Sequence, residues 1–184
     1  MSNLKTGTKS ILFGVHQFFI HPLLVAQAWS MLYGFPFDPR LWLCFFVHDL
    51  GYFGKPNMDG PEGEKHVLLG ANIMRVFGKK WHDECLYHSR FYAKQNNAQF
   101  SRLCVADKLS IVIIPYWLYL PFAWISGELK EYMVGRASRT SANGKGAVAW
   151  LKEVQEYVKG WVDVHKDLCP DGWIKLADEG EQCD

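Results

Sequence analysis

The dipeptide His48-Asp49 closes an apolar run from Leu41 to Val47, and four more ligand-type residues, His21, His66, His88 and Asp107, are spaced around it. Neutral imidazole nitrogens and carboxylates suit iron, manganese, cobalt, zinc or magnesium, and one carboxylate can bridge two ions through its two oxygens. Six such groups are enough for two divalent ions. Unpaired at the end of an apolar run, they would be costly to bury. No cysteine occupies any of the six positions, which argues against a structural zinc site of the thiolate kind. The plainer alternative for His48, Asp49 and Asp107 is a buried polar network without an ion, and the local sequence offers no counter-charges for one. For His66 and His88 the alternative is surface placement, which would leave a mononuclear site. His16 competes with His21 as first ligand, or serves as a supporting donor; Pro22, suited to the first turn of a helix, favours His21. His82 and His165 fit no ligand order and read as ordinary core or surface residues.

Helices distant in the chain must converge for these residues to meet. The pattern predicts a helix from Pro22 to Tyr33 ended by Gly34, then one capped by Asp38 with Pro39 at its first position and running through His48. Gly54 to Gly63 is rich in turn formers and should be a surface loop. Helical patterning resumes at Glu64 with an apolar face of Val67, Leu68, Ala71, Ile73 and Met74, and a further single helix should carry Trp81, Cys85, His88 and Tyr92. Phe100 to Ile114 places Leu103, Ala106 and Asp107 inward. Ala147 to Lys166 repeats Val148, Leu151, Val154, Val158, Trp161, Val162 and Val164, an amphipathic helix expected to cover the core. Gly135 to Gly146, with Arg136, Arg139 and Lys145, reads as a long loop. No segment alternates with period two, so the expected fold class is all-α, one domain over 1–184 with a core at about 16–115 and a C-terminal helical extension at about 116–184.

Composition sets limits on this reading. With 184 residues, 49% of them hydrophobic, and a formal net charge of +1, the chain has material for one core and no charge excess pointing to disorder or a nucleic-acid partner. Cys44, Cys85, Cys104, Cys169 and Cys183 are scattered and read as reduced packing residues, which with the lack of a secretion-signal pattern suggests a cytoplasmic protein. The apolar stretch Ile111 to Ile125 is too short for a membrane span and is broken by Pro115 and Pro121, so a buried, kinked helix pair is expected, without an integral membrane span.

The segments around the ligands, His21-Pro-Leu-Leu-Val-Ala-Gln-Ala, Phe46-Val-His48-Asp49-Leu-Gly, His66-Val-Leu-Leu-Gly-Ala, Tyr87-His88 and Val105-Ala-Asp107-Lys108, resemble the HD superfamily of metal-dependent phosphohydrolases in residue type and order, over about half of the chain. The resemblance implies an HD-domain helical bundle of binuclear type. It implies that His21, His48, Asp49 and Asp107 hold one ion and that Asp49, the catalytic centre of the pattern, bridges to a second held by His66 and His88. The ions, iron, manganese, cobalt, zinc or magnesium, would lower the pKa of a bound water and neutralise charge on a phosphoryl oxygen. The implied substrate is a small phosphorylated molecule, a nucleotide being the expected one. Cyclic dinucleotides are disfavoured, because the Gly-Tyr-Pro motif and further adjacent histidine of that subgroup are missing. Two alternatives share the ligand set: the mixed-valent di-iron oxygenases of the same superfamily, from which the short interval between His88 and Asp107 departs, and a non-catalytic ligand-sensing module.

A phosphate substrate needs cations, and Lys55, Arg90, Lys94, Arg102 and Lys108 lie near the ligands in sequence and are the expected substrate-binding residues. The alternative for some of them is a solvated surface charge. The loop after the His-Asp pair is placed to act as a lid, bringing Asn57, Asp59 or Glu62 to the site. The aromatic run Pro115 to Trp124 is either ordinary core or a wall of the pocket mouth.

Overall fold

In the computed structural model, which describes residues 4–137 and 146–168, helix boundaries fall where glycine, proline and capping side chains put them. α1 (Thr6–Phe13) stops at Gly14; α2 (Ile20–Tyr33) carries Pro22 in its first turn and ends at Gly34, whose φ of 85° suits glycine. Asp38 caps α3 (Pro39–Val47) by accepting the Arg40 N–H at 2.9 Å. A 3-10 turn (Leu50–Tyr52) follows, and after the 54–63 loop a second one (Glu64–His66) runs into α4 (Val67–Met74). Then come α5 (Lys79–Leu86), α6 (Arg90–Gln95), α7 (Arg102–Ile113), α8 (Tyr116–Ser126), α9 (Glu128–Ala137) and α10 (Ala147–His165). The described residues contain no strand, so the fold is all-α.

α7 is the centre of the packing. α2 lies against it on one side and α10 on another, while α4 packs on α5 and α1 on α8. Flanked this way, α7 is apolar nearly all round: Leu103, Cys104, Val105 and Ala106 are fully buried in succession. Burying a side chain the size of Phe45, Leu103 or Leu151 contributes about 1.5–3 kcal/mol each. Both ends of α7 are satisfied by side chains. The buried Glu84 accepts the Leu103 N–H at 2.9 Å and Ser101 accepts that of Cys104 at 3.1 Å. At the other end, where Pro115 stops the helix, the Gln155 amide donates to the carbonyls of Ile111 (2.9 Å) and Ile114 (3.0 Å).

Several expectations change in detail. The single helix foreseen across Trp81 to Tyr92 is two, because Ser89 caps α6 through the Tyr92 N–H at 3.3 Å and places His88 in the break. Leu68 and Ile73 of α4, and Val148 and Val164 of α10, are exposed rather than packed. Ile111 to Ile125 is a helix pair as expected, bent by 107°, but α8 is buried on one face only: Tyr119 and Ala123 are inside, whereas Trp117 and Trp124 are 65% and 74% exposed, on a stripe with Pro121. No single helix among the described residues is long and apolar enough to cross a membrane. Of the loop expected at 135–146, residues 135–137 belong to α9 and 138–145 lie outside the described residues, as do Cys169 and Cys183. Cys44, Cys85 and Cys104 are buried free thiols.

Candidate metal centre

Asp49 sits where α3 gives way to the 3-10 turn, at φ −98° and ψ −3°, a bridge conformation that lets His48 and Asp49 address one point although they are adjacent in the chain. The first turn of α2 brings His21 to that point, and the middle of α7 brings Asp107. His21 Nε2 lies 3.1 Å from Asp49 Oδ2, 3.1 Å from Asp107 Oδ1 and 3.3 Å from His48 Nε2, and His48 Nε2 lies 3.2 Å from Asp49 Oδ2. Atoms bound to one first-row ion at about 2.1 Å stand roughly 3.0–3.4 Å apart, so these spacings fit the edges of one coordination shell. The other oxygen of Asp49 faces a second group. Its Oδ1 is 3.5 Å from His66 Nε2 and 3.4 Å from His88 Nε2, and the two imidazole nitrogens are 3.0 Å apart.

The imidazoles are aimed by one repeated device. His48 Nδ1 donates to the Phe45 carbonyl at 3.0 Å, His66 Nδ1 to that of Gly63 at 2.8 Å, and His88 Nδ1 to that of Cys85, each three residues upstream at the end of a helical turn. A proton held on Nδ1 leaves Nε2 as the ligand atom, the usual arrangement of a metal-binding histidine. Tyr52 stacks on His66 with ring centres 3.9 Å apart and planes 7° from parallel. Asp49 Oδ2 is buried without a hydrogen bond among the described residues, an orphaned lone pair that a cation would satisfy.

Electrostatics point the same way. Burial raises the carboxyl of Asp49, but the surrounding imidazoles of His48, His21 and His88 outweigh it and hold that carboxyl well below the usual range. The same opposition, won by His21 and His48, keeps Asp107 ionised. Burial disfavours a charged His48, and the two carboxylates override it, holding the ring well above the usual histidine range. His66 behaves oppositely: burial and the neighbouring His88 push it down to about 3, so it is neutral and ready to coordinate.

His16 is not part of either group. Its Nδ1 lies 2.9 Å from Ser10 Oγ and 3.2 Å from Glu128 Oε2, and its ring meets that of His21 edge-on at 5.3 Å. Glu128, fully buried, also accepts the Val15 N–H at 3.3 Å and the Tyr132 hydroxyl at 3.2 Å. Burial opposes the charge on His16, but Glu128 prevails and raises the ring from 6.5 to about 9. Stability from a raised histidine is present in full below the unfolded pKa and lost as pH rises through the folded one. In chelated protein, unfolding free energy should therefore fall by on the order of 3 kcal/mol between pH 6.5 and well above 9 on account of this pair, and Glu128→Gln should flatten that fall in urea titrations. An unchanged slope in the variant would remove the pair as its origin.

Beside the first group opens a cavity of about 630 Å³, which His16, His21, Asp107, Lys108, Asp59 and Glu64 help to line. Of the five expected substrate cations, Lys108 alone lines it. Arg90 lies over the Trp161 ring at 5.2 Å, Arg102 over Tyr33 at 5.0 Å, Lys55 is 3.8 Å from Glu62 and Lys94 is exposed. Of the lid candidates, Asp59 reaches the cavity; Asn57 instead accepts the Gly63 N–H at 3.1 Å and Glu62 pairs outward with Lys65. His82 and His165 take non-ligand roles, on Asp83 at 2.8 Å and on the Trp161 carbonyl at 2.7 Å. Tyr52, Glu64 and Glu128 were not foreseen.

Gly51 carries a structural demand. A Cβ there would collide with the backbone carbonyl of His66, so the 3-10 turn after Asp49 can seat the His66 turn only without a side chain. Gly51→Ala should cost about 1–3 kcal/mol in denaturant unfolding, the usual range for overpacking. Any metal binding at His66 should weaken before that at His21, read by titrating metal into the variant.

No family model, curated protein or solved structure matches this chain. What the structure defines is a helical protein with buried histidine and aspartate groups close enough to hold a metal ion, in two sets that share Asp49.

Proposed function

We propose that this protein is a binuclear metal-dependent phosphohydrolase of the HD type, acting on a small phosphorylated molecule in the cytoplasm. The observation that supports this reading best is the division of Asp49, with Oδ2 towards His21 and His48 and Oδ1 towards His66 and His88. His21, His48, Asp49 and Asp107 would hold one ion, and His66, His88 and Asp49 the other. When bound, the ions would supply Lewis-acid stabilisation of phosphoryl charge and a water of lowered pKa. In the hydrolysis, the water oxygen bonds to phosphorus, the bond from phosphorus to the organic oxygen breaks, and that oxygen leaves with a proton. Lys108, the cavity's only lysine or arginine, would meet the phosphate by swinging from the Trp161 ring, whose centre is 5.9 Å from its Nζ, while Asp49 and Asp107 stay ionised. A nucleotide remains one candidate among the phosphoesters.

The test is elemental analysis of protein purified without added metal, then a screen of nucleotides and phosphoesters with iron, manganese, cobalt and magnesium. Two ions per chain and metal-dependent phosphate release are expected. Iron-dependent oxygen uptake without phosphate release would replace this reading with the di-iron oxygenase, and ligand binding without turnover would replace it with a sensing module.

A further inference from the structure

The cavity lining has two chemical faces. Beside the polar groups of the centre, Leu24, Ile111, Ile114, Trp150, Val154 and Val158 form an apolar wall. Trp150, Val154 and Val158 recur every four residues along α10, so one stripe of that helix faces the space. Protein interiors rarely leave voids larger than a water molecule, whereas ligand pockets run to several hundred Å³. A 630 Å³ space walled by aliphatic side chains is thus a place for an organic group rather than a packing defect. A second observation concerns a donor on this wall. The Nε1–H of Trp150, itself 4% exposed, has no hydrogen-bond partner among the described residues. A buried indole N–H ordinarily finds an acceptor.

Charge narrows the class. Beyond the ligand Asp107, Asp59 and Glu64 line the same cavity and Lys108 is its only lysine or arginine, so phosphates of a polyphosphate chain lying away from the centre would meet carboxylates and few cations. A single phosphate suits this lining better. We propose that the substrate is a phosphate monoester of a largely apolar alcohol, its phosphate at the Asp49 centre and its organic group along the α7–α10 wall, with an acceptor atom directed to Trp150 Nε1. This rests on the phosphohydrolase reading and names its substrate class.

Non-hydrolysable methyl-, butyl- and octylphosphonate, titrated calorimetrically into manganese-loaded protein, test it without turnover. Affinity should rise about fourfold per methylene until the wall is covered. Val154→Asn, which puts a polar amide on the apolar wall, should erase most of that gain and leave methylphosphonate within about twofold. Trp150→Phe should weaken at least one of a set of octyl-length probes bearing an ether oxygen at successive positions by about fivefold and the all-carbon probe by less than twofold. Methylphosphonate binding with no chain-length dependence overturns the apolar site and leaves the hydrolase reading standing. Absence of binding by every phosphonate overturns the hydrolase reading itself, and n-octanol binding then shows whether the wall is still an apolar site.

Discussion

Asp49→Ala should yield a folded protein that retains neither ion and releases no phosphate. The reason lies in how the two groups share charge. Remove Asp49 and the first is left with His21, His48 and Asp107, the second with two imidazoles and no carboxylate at all. Loss of a mere supporting partner of a ligand costs 10–100-fold in metal affinity, so loss of a carboxylate serving both groups should exceed about a hundredfold at each. His66→Ala supplies the contrast: the second group falls to Asp49 and His88, while the four residues around His21 are untouched. Elemental analysis should read two ions in the wild type, one in His66→Ala and none in Asp49→Ala, with circular dichroism showing the same helix content in all three. Asp49→Ala that kept its metal content and turnover would end the binuclear account.

The helices that carry these ligands were readable because their signals are local. Asp38-Pro39 and Gly34 mark ends through the conformations those residues adopt, and His48-Asp49 stands out because two polar groups close an apolar run. What could not be read is what depends on rotation and long-range approach. Arg102 lies five residues before Asp107 on α7, about 140° around the helix, and so turns to Tyr33 instead of the cavity. Arg90 belongs to α6 rather than to a helix shared with His88, because the Ser89 cap resets the direction of the chain. The apolar composition of α8 says that it avoids charge and does not say which neighbour covers it; the structure leaves Trp117 and Trp124 outside and turns Tyr119 inward. Glu128 meets His16 across more than a hundred residues, a contact that no local pattern encodes.

Chelation should lower the melting temperature markedly. An ion that binds only the native chain stabilises it by about 4 kcal/mol at a thousand times its dissociation constant. For a domain of this size each kcal/mol is worth about 2–4 °C, so withdrawing metal under those conditions should cost roughly 8–16 °C. The cause is visible in the first group, where Asp49 and Asp107 are held ionised inside the fold and demand positive charge that the imidazoles meet by keeping a proton at His48. A cation must displace that proton, because a protonated ring cannot coordinate. Metal affinity at this group should therefore grow as pH rises towards the raised pKa of His48, whereas at His66, already neutral because its pKa lies near 3, it should be much flatter above pH 6. Melting curves with and without chelator at pH 6, 7 and 8, run on the wild type and on His66→Ala, separate the two. The gain in the variant, which reports the first group alone, should increase with pH. A gain that shrank as pH rose would remove the His48 proton as the competitor, and identical melting with and without chelator would show that the cluster is a buried ionic network complete without metal.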